Sequence, residues 1–186
     1  MSNTERSIIH TRLIQANERY MDTVDRALLR DTAENGQQPY AIVVCCSDSR
    51  VVPEFIFHAG IGDLFVIRVA GNVLDNHQIG SIEYAAEHLH CQHILVLGHT
   101  GCGAVAAALA DSGEGFIRYI TDDILEAVGS ETDPDKACCL NVAYAVRRLK
   151  REFAAHPEIT NASIEGAVYD IRTGEVRWLT EPEKCS

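Results

Sequence analysis

Two short cysteine motifs, each at the end of an apolar run, carry the strongest chemical signal in this sequence. The first begins at Cys46, directly after the strand-like run from Tyr40 to Cys45. The second contains His99 and Cys102, directly after an aliphatic run at 94–97. Groups at the carboxyl ends of neighbouring strands in an α/β sheet converge on one crevice. We therefore expect Cys46, His99 and Cys102 to face a common point.

Two thiolates and one imidazole form a donor set that is typical of zinc. Three protein ligands leave a fourth position for water or substrate, as in a catalytic rather than a closed structural site. Taken alone, a buried cysteine is more often a core residue, and a His-x-x-Cys spacing often arises by chance. The segment 98–103 also lacks the glycine spacing and the lysine of phosphate-binding loops. The combination at two strand ends therefore predicts a metal site.

The residues beside the predicted ligands suggest what the metal is for. Asp48 lies two residues beyond Cys46, close enough to reach the open metal position or a water there. Arg50 lies two further on and can hold that carboxylate in a forked, charge-assisted pair. Because zinc lowers the pKa of a bound water to about 7, hydroxide is available at neutral pH. A carboxylate beside it indicates a hydration or hydrolysis site.

The composition excludes several classes of protein. Sixteen lysines and arginines against 27 acidic residues give a net charge of −11, which disfavours non-specific binding to nucleic acid or anionic membranes. No apolar stretch of about 18 residues is present, and residues 1–6 lack a signal-peptide pattern. Seven cysteines without framework spacing favour a reducing compartment. We expect a cytoplasmic protein with neither a nucleic-acid nor a membrane partner.

Strand-like and helical patterns alternate along the chain, which predicts an α/β fold. A Thr173-Gly174 turn between two apolar runs marks a hairpin near the carboxyl end. We therefore expect a mostly parallel central sheet with one antiparallel edge strand, flanked by helices. The predicted strands are 40–46, 64–69, 94–97, 166–171 and 176–179.

Apolar residues at helical spacing predict the helices. An amino-terminal helical arm runs from near Ile8 to about Arg30, before a break at Asn35-Gly36. The clearest helix has Asp133 as its N-cap and Pro134 at its first position. The other predicted helices are 79–89 and 104–110, and 111–133 is predicted as a loop with a short helix near 120–128.

At these residues the chain resembles the β-class carbonic anhydrases. The similar segments are 46–54, 63–68, 70–72, 81–85, 98–103 and 166–170, and the resemblance extends from about Gln37 to Leu179. It implies a zinc enzyme that interconverts carbon dioxide and bicarbonate, with one zinc ion per chain. The implied ligands are Cys46, His99 and Cys102, and the implied catalytic pair is Asp48 and Arg50.

The resemblance assigns further residues by their position in the motifs. Gln37, nine residues before the first metal cysteine, matches a glutamine that hydrogen-bonds bicarbonate in the plant-like branch of the family. Phe65 and Tyr84 match aromatic residues that line the pocket, and Gly103 offers a main-chain N–H. Members of the other branch carry a tryptophan three residues before the first zinc cysteine, where this chain has Val43. The plant-like branch, with its open zinc position, is therefore implied.

Organisation and assembly also follow from the resemblance. We expect one domain, 1–186, made of a helical arm at 1–31 and a catalytic core at 37–180. The implied assembly is a homodimer, or a dimer of dimers, in which the amino-terminal helix packs on the partner and the pocket lies at the interface. One departure is Val69, where most members carry asparagine.

Two alternatives remain open from the sequence alone. The same scaffold could act on another small heterocumulene, such as carbon disulfide or carbonyl sulfide, since access to the pocket decides this. The chain could also be a non-catalytic, zinc-stabilised binding or sensing module. Asp48, Arg50 and Gln37 argue against that module, because a purely structural site would not need them.

Overall fold

The fold is given by a computed structural model that describes residues 3–157, 159 and 161–179. Contacts between residues divide the chain into two compact units, Met1–Gln37 and Gln38–Ser186. Cys185, which the sequence places in a carboxyl-terminal tail, lies outside the described residues. Within the described ranges, no helix is both long enough and apolar enough to cross a membrane.

The first unit contains two helices, α1 (Asn3–Thr23) and α2 (Arg26–Asn35). The prediction of one continuous helix to about Arg30 was wrong, because Asp25 caps a second helix by accepting hydrogen bonds from the Ala27 and Leu28 main-chain N–H groups. The large apolar side chains of α1 are exposed in this structure: Ile8, Ile9, Leu13, Ile14, Tyr20 and Met21.

A five-stranded sheet of order β2-β1-β3-β4-β5 forms the centre of the second unit. Its strands are β1 (Ala41–Cys45), β2 (Leu64–Arg68), β3 (His93–His99), β4 (Ser163–Tyr169) and β5 (Val176–Trp178). The first four strands pair in parallel with one another, and β5 pairs antiparallel with β4. The predicted mixed sheet with an antiparallel edge strand is confirmed. Strands β1 and β3 are almost wholly buried, as their continuous aliphatic runs require.

Five helices in the described part of the second unit connect or cover these strands. They are α3 (Pro53–Ile56), α4 (Asn76–His88), α5 (Gly103–Leu109), α6 (Ile117–Val128) and α7 (Pro134–Glu152), with a 3₁₀ turn at Ala70–Asn72. Asp133 caps α7 as predicted, accepting hydrogen bonds from main-chain N–H groups of its first turn. The region predicted as a loop with a short helix contains the three-turn helix α6, which buries Ile124 and Val128.

Helix α7 approaches the sheet closely because two glycines face it from adjacent strands. A Cβ atom at Gly98 would collide with Cγ2 of Val142, and a Cβ atom at Gly166 would lie 2.8 Å from Cγ1 of the same side chain. Only glycine therefore permits this approach at both positions. We call these three residues the glycine seam. It fixes α7 against β3 and β4, next to the strand end where His99 lies.

Candidate metal centre

The three predicted metal ligands converge at the carboxyl edge of the sheet. Cys46 directly follows β1, His99 is the last residue of β3, and Cys102 immediately precedes α5. Because β1 and β3 are adjacent parallel strands, their ends lie side by side. The ligand atoms of the three residues all lie within 4.8 Å of one another, and no side chain of the three is more than 5% exposed. The expected convergence is confirmed.

The orientation of His99 fits a metal ligand. Its Nδ1 atom lies 3.0 Å from the carbonyl oxygen of Thr100, so the ring donates there and presents Nε2 to the two sulfurs. Nε2 is buried and forms no hydrogen bond with any described residue. A ligating histidine usually donates its other ring N–H to such an outer acceptor. The donor set of two sulfurs and one nitrogen fits zinc.

The electrostatics of the two sulfurs support the same conclusion. A hydrogen bond from the Cys102 thiol lowers the pKa of Cys46 to about 4, and the same bond raises the pKa of Cys102. The Cys46 sulfur also accepts hydrogen bonds from the main-chain N–H groups of Asp48, at 3.4 Å, and Gly71, at 3.3 Å. Thiolate is the metal-binding form of cysteine, so a bound cation would favour deprotonation of both sulfurs.

Asp48 and Arg50 form the predicted forked pair. Arg50 donates from Nε to Oδ1 at 2.9 Å, from Nη2 to Oδ2 at 2.7 Å, and from its main-chain N–H to Oδ1 at 2.9 Å. These bonds hold the pKa of Asp48 well below its usual range, so the side chain is a carboxylate. Arg50 Nη2 also donates to the Gly101 carbonyl at 3.3 Å, which links the two cysteine motifs.

Arg68 is a site residue that the sequence analysis missed. Its Nε donates to the Cys46 carbonyl at 3.2 Å, and its Nη2 donates to the Asp48 carbonyl at 2.7 Å. It can reach both because the parallel register places it opposite Cys45. Arg68 thus holds the main chain on either side of the turn that carries a ligand and the carboxylate. A basic residue at the last position of the strand beside β1 was the available signal.

Two of the predicted pocket residues lie away from the ligands within this chain. Phe65 and Tyr84 contact each other, with ring centroids 6.3 Å apart. Phe65 pairs in register with Ile42, four residues before Cys46, which corresponds to about 13 Å along the strand. Tyr84 is 49% exposed.

The other two predicted binding residues have different surroundings. Gly103 is the first residue of α5, directly after the ligand Cys102. Gln37 belongs to the first unit, where it is exposed beyond the end of α2. Their roles in binding, like those of Phe65 and Tyr84, stay predictions.

A second group of metal-capable side chains joins α4 to the segment after α7. His156 Nε2 lies 3.1 Å from a Glu83 carboxylate oxygen and 3.3 Å from one of Glu87. The Nδ1 atom of His156 is buried and has no hydrogen-bond partner among the described residues. Because a ligating histidine normally donates its second N–H to an acceptor, this group is better described as a hydrogen-bonded cluster than as a metal site.

The remaining described cysteines are buried core residues. Cys45, Cys91 and Cys138 are free, whereas Cys139 is disulfide-bonded. Burial raises the pKa of Cys45 to about 12 and that of Cys138 to about 11, so both are neutral thiols. Cys45 packs in a different apolar cluster from Cys46, which agrees with the alternation of side chains along a strand.

Comparison with known proteins places this site in a family. Residues 41–176 match the family model described as "Carbonic anhydrase". A carbonic anhydrase of Mycolicibacterium smegmatis is 46% identical over 104 residues, covering 53% of this chain and 50% of the relative. The chain thus spans about half the length of the mycobacterial relative. A carbonic anhydrase of Pseudomonas aeruginosa is 43% identical over 173 residues, covering 81% of this chain and 78% of the relative.

A solved structure agrees in both fold and class. The structure of the β-carbonic anhydrase CcaA superposes with a TM-score of 0.73 at 28% sequence identity, covering 90% of this chain and 86% of the other. The family match includes β1, β3 and β4 together with all three predicted metal ligands. The chain therefore belongs to the carbonic anhydrase family, in its β class.

Proposed function

We propose that this chain catalyses the reversible hydration of carbon dioxide to bicarbonate and a proton, with one Zn²⁺ held by Cys46, His99 and Cys102. The observation that carries the proposal is a buried three-ligand cluster with a clamped carboxylate two residues from one ligand. Membership of the carbonic anhydrase family supports the same reaction.

The metal and the carboxylate have separate tasks in this proposal. When bound, zinc supplies Lewis-acid activation of water. A carboxylate offers about four acceptor positions, and Arg50 occupies three of them, two on Oδ1 and one on Oδ2 of Asp48. The remaining position on Oδ2 can accept a hydrogen bond from the attacking water. Arg50 keeps Asp48 ionised and fixes the direction in which it accepts.

Assembly is the second part of the proposal. Phe65 and Tyr84 lie away from the ligands of their own chain, so we propose that they line the pocket of a partner subunit in a homodimer or a dimer of dimers. The exposed apolar side chains of α1 need a cover in solution, which a partner can supply. Deleting residues 1–30 should then give an insoluble or inactive protein; a soluble, fully active monomer would contradict this assembly.

Complementation tests whether the pocket is shared. Cys46→Ser and Tyr84→Ala each impair one component of the pocket. In a mixed dimer, one pocket carries both changes and the other carries neither. Refolding the two variants together should therefore restore activity that neither shows alone. If both residues serve the pocket of their own chain, mixing restores nothing.

We also propose a cytoplasmic location and a single catalytic core at 37–180. The five free cysteines among the described residues support a reducing compartment, whereas the disulfide at Cys139 requires an oxidising step. Thiol titration of freshly purified, unfolded protein distinguishes these conditions. A free thiol at Cys139 would support the cytoplasmic location, and a disulfide there, as in the structure, would contradict it.

The main experiment measures zinc content per chain together with carbon dioxide hydration by stopped flow in a pH indicator. The proposal predicts one zinc ion and rapid hydration. Zinc with rapid turnover of carbon disulfide or carbonyl sulfide, but no hydration of carbon dioxide, would favour a different heterocumulene. Zinc without any turnover would favour a binding or sensing module.

A further inference from the structure

We infer that Asn141, a buried residue of α7, is a positioning residue of the metal centre and acts on the Cys46 sulfur through Gly71. The inference rests on the metal site of the proposed function but not on the reaction. It assigns a role to a side chain that lies 39 residues beyond the last ligand, Cys102, in the sequence.

The first step is the hydrogen bond from Gly71 to the ligand. The Gly71 main-chain N–H donates to the Cys46 sulfur at 3.3 Å in a buried environment. Gly71 has a φ of 69°, in the left-handed region, and a Cβ atom there would lie 2.8 Å from Cδ1 of Ile124. The turn therefore brings main chain, rather than a side chain, up to the sulfur.

The second step ties this turn to α7. Asn141 is only 3% exposed, and its Nδ2 donates to the Gly71 carbonyl oxygen at 2.7 Å. The next residue, Val142, is the side chain that fills the glycine seam. Since the seam fixes α7 on the sheet, Asn141 fixes Gly71 relative to the strands that carry the ligands. Asn141 thus limits the freedom of the N–H group that faces the sulfur.

The expected effect follows from what such outer contacts do for metals. An N–H···S bond orients a thiolate and shares its negative charge, and losing an outer contact typically weakens metal binding about 10- to 100-fold. Removing Asn141 would leave the Gly71 carbonyl buried without a partner, so the turn would move to find one. The Gly71 N–H would then leave its position beside the Cys46 sulfur.

The chain offers a matched control on the same helix. Arg148, two turns after Asn141 on α7, donates from Nη1 to the Leu74 carbonyl at 2.7 Å. Both side chains therefore tie α7 to the connection between β2 and α4 with bonds of the same length. Only the bond from Asn141 ends on the residue whose N–H reaches the sulfur. Arg148→Met thus removes an equivalent anchor without touching the route to Cys46.

The test loads ¹⁵N-labelled protein with ¹¹³Cd and measures two quantities, the metal dissociation constant by chelator competition and the coupling between the Gly71 amide proton and cadmium. Wild type should show the coupling through the N–H···S bond. Asn141→Leu should lose it and bind metal about 10- to 100-fold more weakly, whereas Arg148→Met should stay within about twofold of wild type. Asn141→Ala, which also removes the donor, should repeat the loss if Asn141→Leu does not fold.

Two results would overturn the inference. One is wild-type affinity and coupling in the folded Asn141 variant. The other is equal weakening in the Asn141 and Arg148 variants, which would indicate general destabilisation of α7. Neither readout uses turnover, so wild-type protein that binds cadmium with the expected coupling but hydrates no carbon dioxide contradicts only the proposed reaction.

Discussion

Two Asp-x-Arg segments of this chain fold into nearly the same clamp in different surroundings. Arg50 donates to Asp48, and Arg172 donates to Asp170, each through its main-chain N–H, Nε and Nη2. The main-chain bonds are 2.9 and 2.8 Å long, and the Nη2 bonds are 2.7 and 3.1 Å long. Each clamp follows a parallel strand, β1 for the first and β4 for the second.

The difference lies in the neighbours of each clamp. Asp48 follows the predicted ligand Cys46 by two residues and is 17% exposed, and its partner Arg50 donates to the Gly101 carbonyl of the second motif. Asp170 also contacts the second motif, accepting a hydrogen bond from Thr100 Oγ1 at 3.5 Å, but it follows no predicted ligand, and its arginine is 70% exposed. An Asp-x-Arg clamp is therefore a local structure. In the proposed function, the first clamp has a chemical task because it lies beside the converging ends of β1 and β3.

The largest predicted effect on zinc content and activity comes from replacing a predicted metal cysteine, which leaves both Asp-x-Arg clamps intact. Cys46→Ser or Cys102→Ser should remove most of the zinc and nearly all activity, because oxygen is a poorer partner than thiolate for this ion. Metal analysis and stopped-flow hydration measure the two losses. Cys91→Ser, at a buried free cysteine outside the cluster, is the control. Full zinc occupancy in both ligand variants would remove the site assignment.

Breaking each clamp in turn tests the comparison directly. Arg50→Ala should lower kcat/KM about 100-fold, because it frees a carboxylate that must accept a proton or hydrogen bond in one direction. Arg172→Ala removes the same three types of bond but should leave kcat/KM within about twofold of wild type. Similar losses in the two variants would mean that the clamps matter only for stability.

The pH dependence of activity sharpens the role of the first clamp. The family resemblance implies that Asp48 can bind zinc and block catalysis, or pair with Arg50 and leave the metal open to water. Raising the pH favours the open state by linkage, because only that state releases a proton from water. Hydration should therefore increase between roughly pH 6 and pH 9, the range around the lowered pKa of water at zinc. High, flat activity across this range would contradict the gate.

Asp48→Ala separates a catalytic carboxylate from a structural ligand. The variant should keep its zinc, because Cys46, His99 and Cys102 remain, yet hydrate carbon dioxide slowly for want of the acceptor. Zinc content and hydration rate of the same sample decide the matter. Loss of zinc would make Asp48 a ligand that the site requires.

The smallest predicted effect concerns the clamp between Asp170 and Arg172. It should change the free energy of unfolding but not the activity. Arg172 lowers the pKa of Asp170 to about 2, whereas an unfolded aspartate has a pKa of about 3.9. A lowered folded-state pKa contributes stability above the unfolded value, and this contribution disappears as the pH falls through the folded value. Urea midpoints of wild type and Asp170→Asn should therefore differ slightly at pH 6 and converge near pH 2. A gap that widens on acidification would contradict this.

The sequence was sufficient for the sheet and for the convergence of the ligands. Long aliphatic runs bounded by turns mark β1 and β3. The rule that parallel strand ends share one crevice then brings Cys46 and His99 together. Both steps depend only on local pattern and on a general property of α/β sheets.

The features that were missed depend on information that a local pattern lacks. The break between α1 and α2 depends on one capping residue, Asp25, within continuous helical spacing. Arg68 and Asn141 reach main-chain carbonyls that lie about 20 to 70 residues away in sequence. Such contacts follow from register and helix packing, which no spacing within a single element reveals.

In the glycine seam, the volume of the Val142 side chain limits the residue size that is possible on two strands at once. Gly98 and Gly166 are both excluded from carrying a Cβ atom by the two methyl groups of Val142. A larger residue on either strand is therefore compatible with the fold only if position 142 shrinks in compensation. Among descendants of this chain, substitutions at these three positions should therefore be correlated rather than independent.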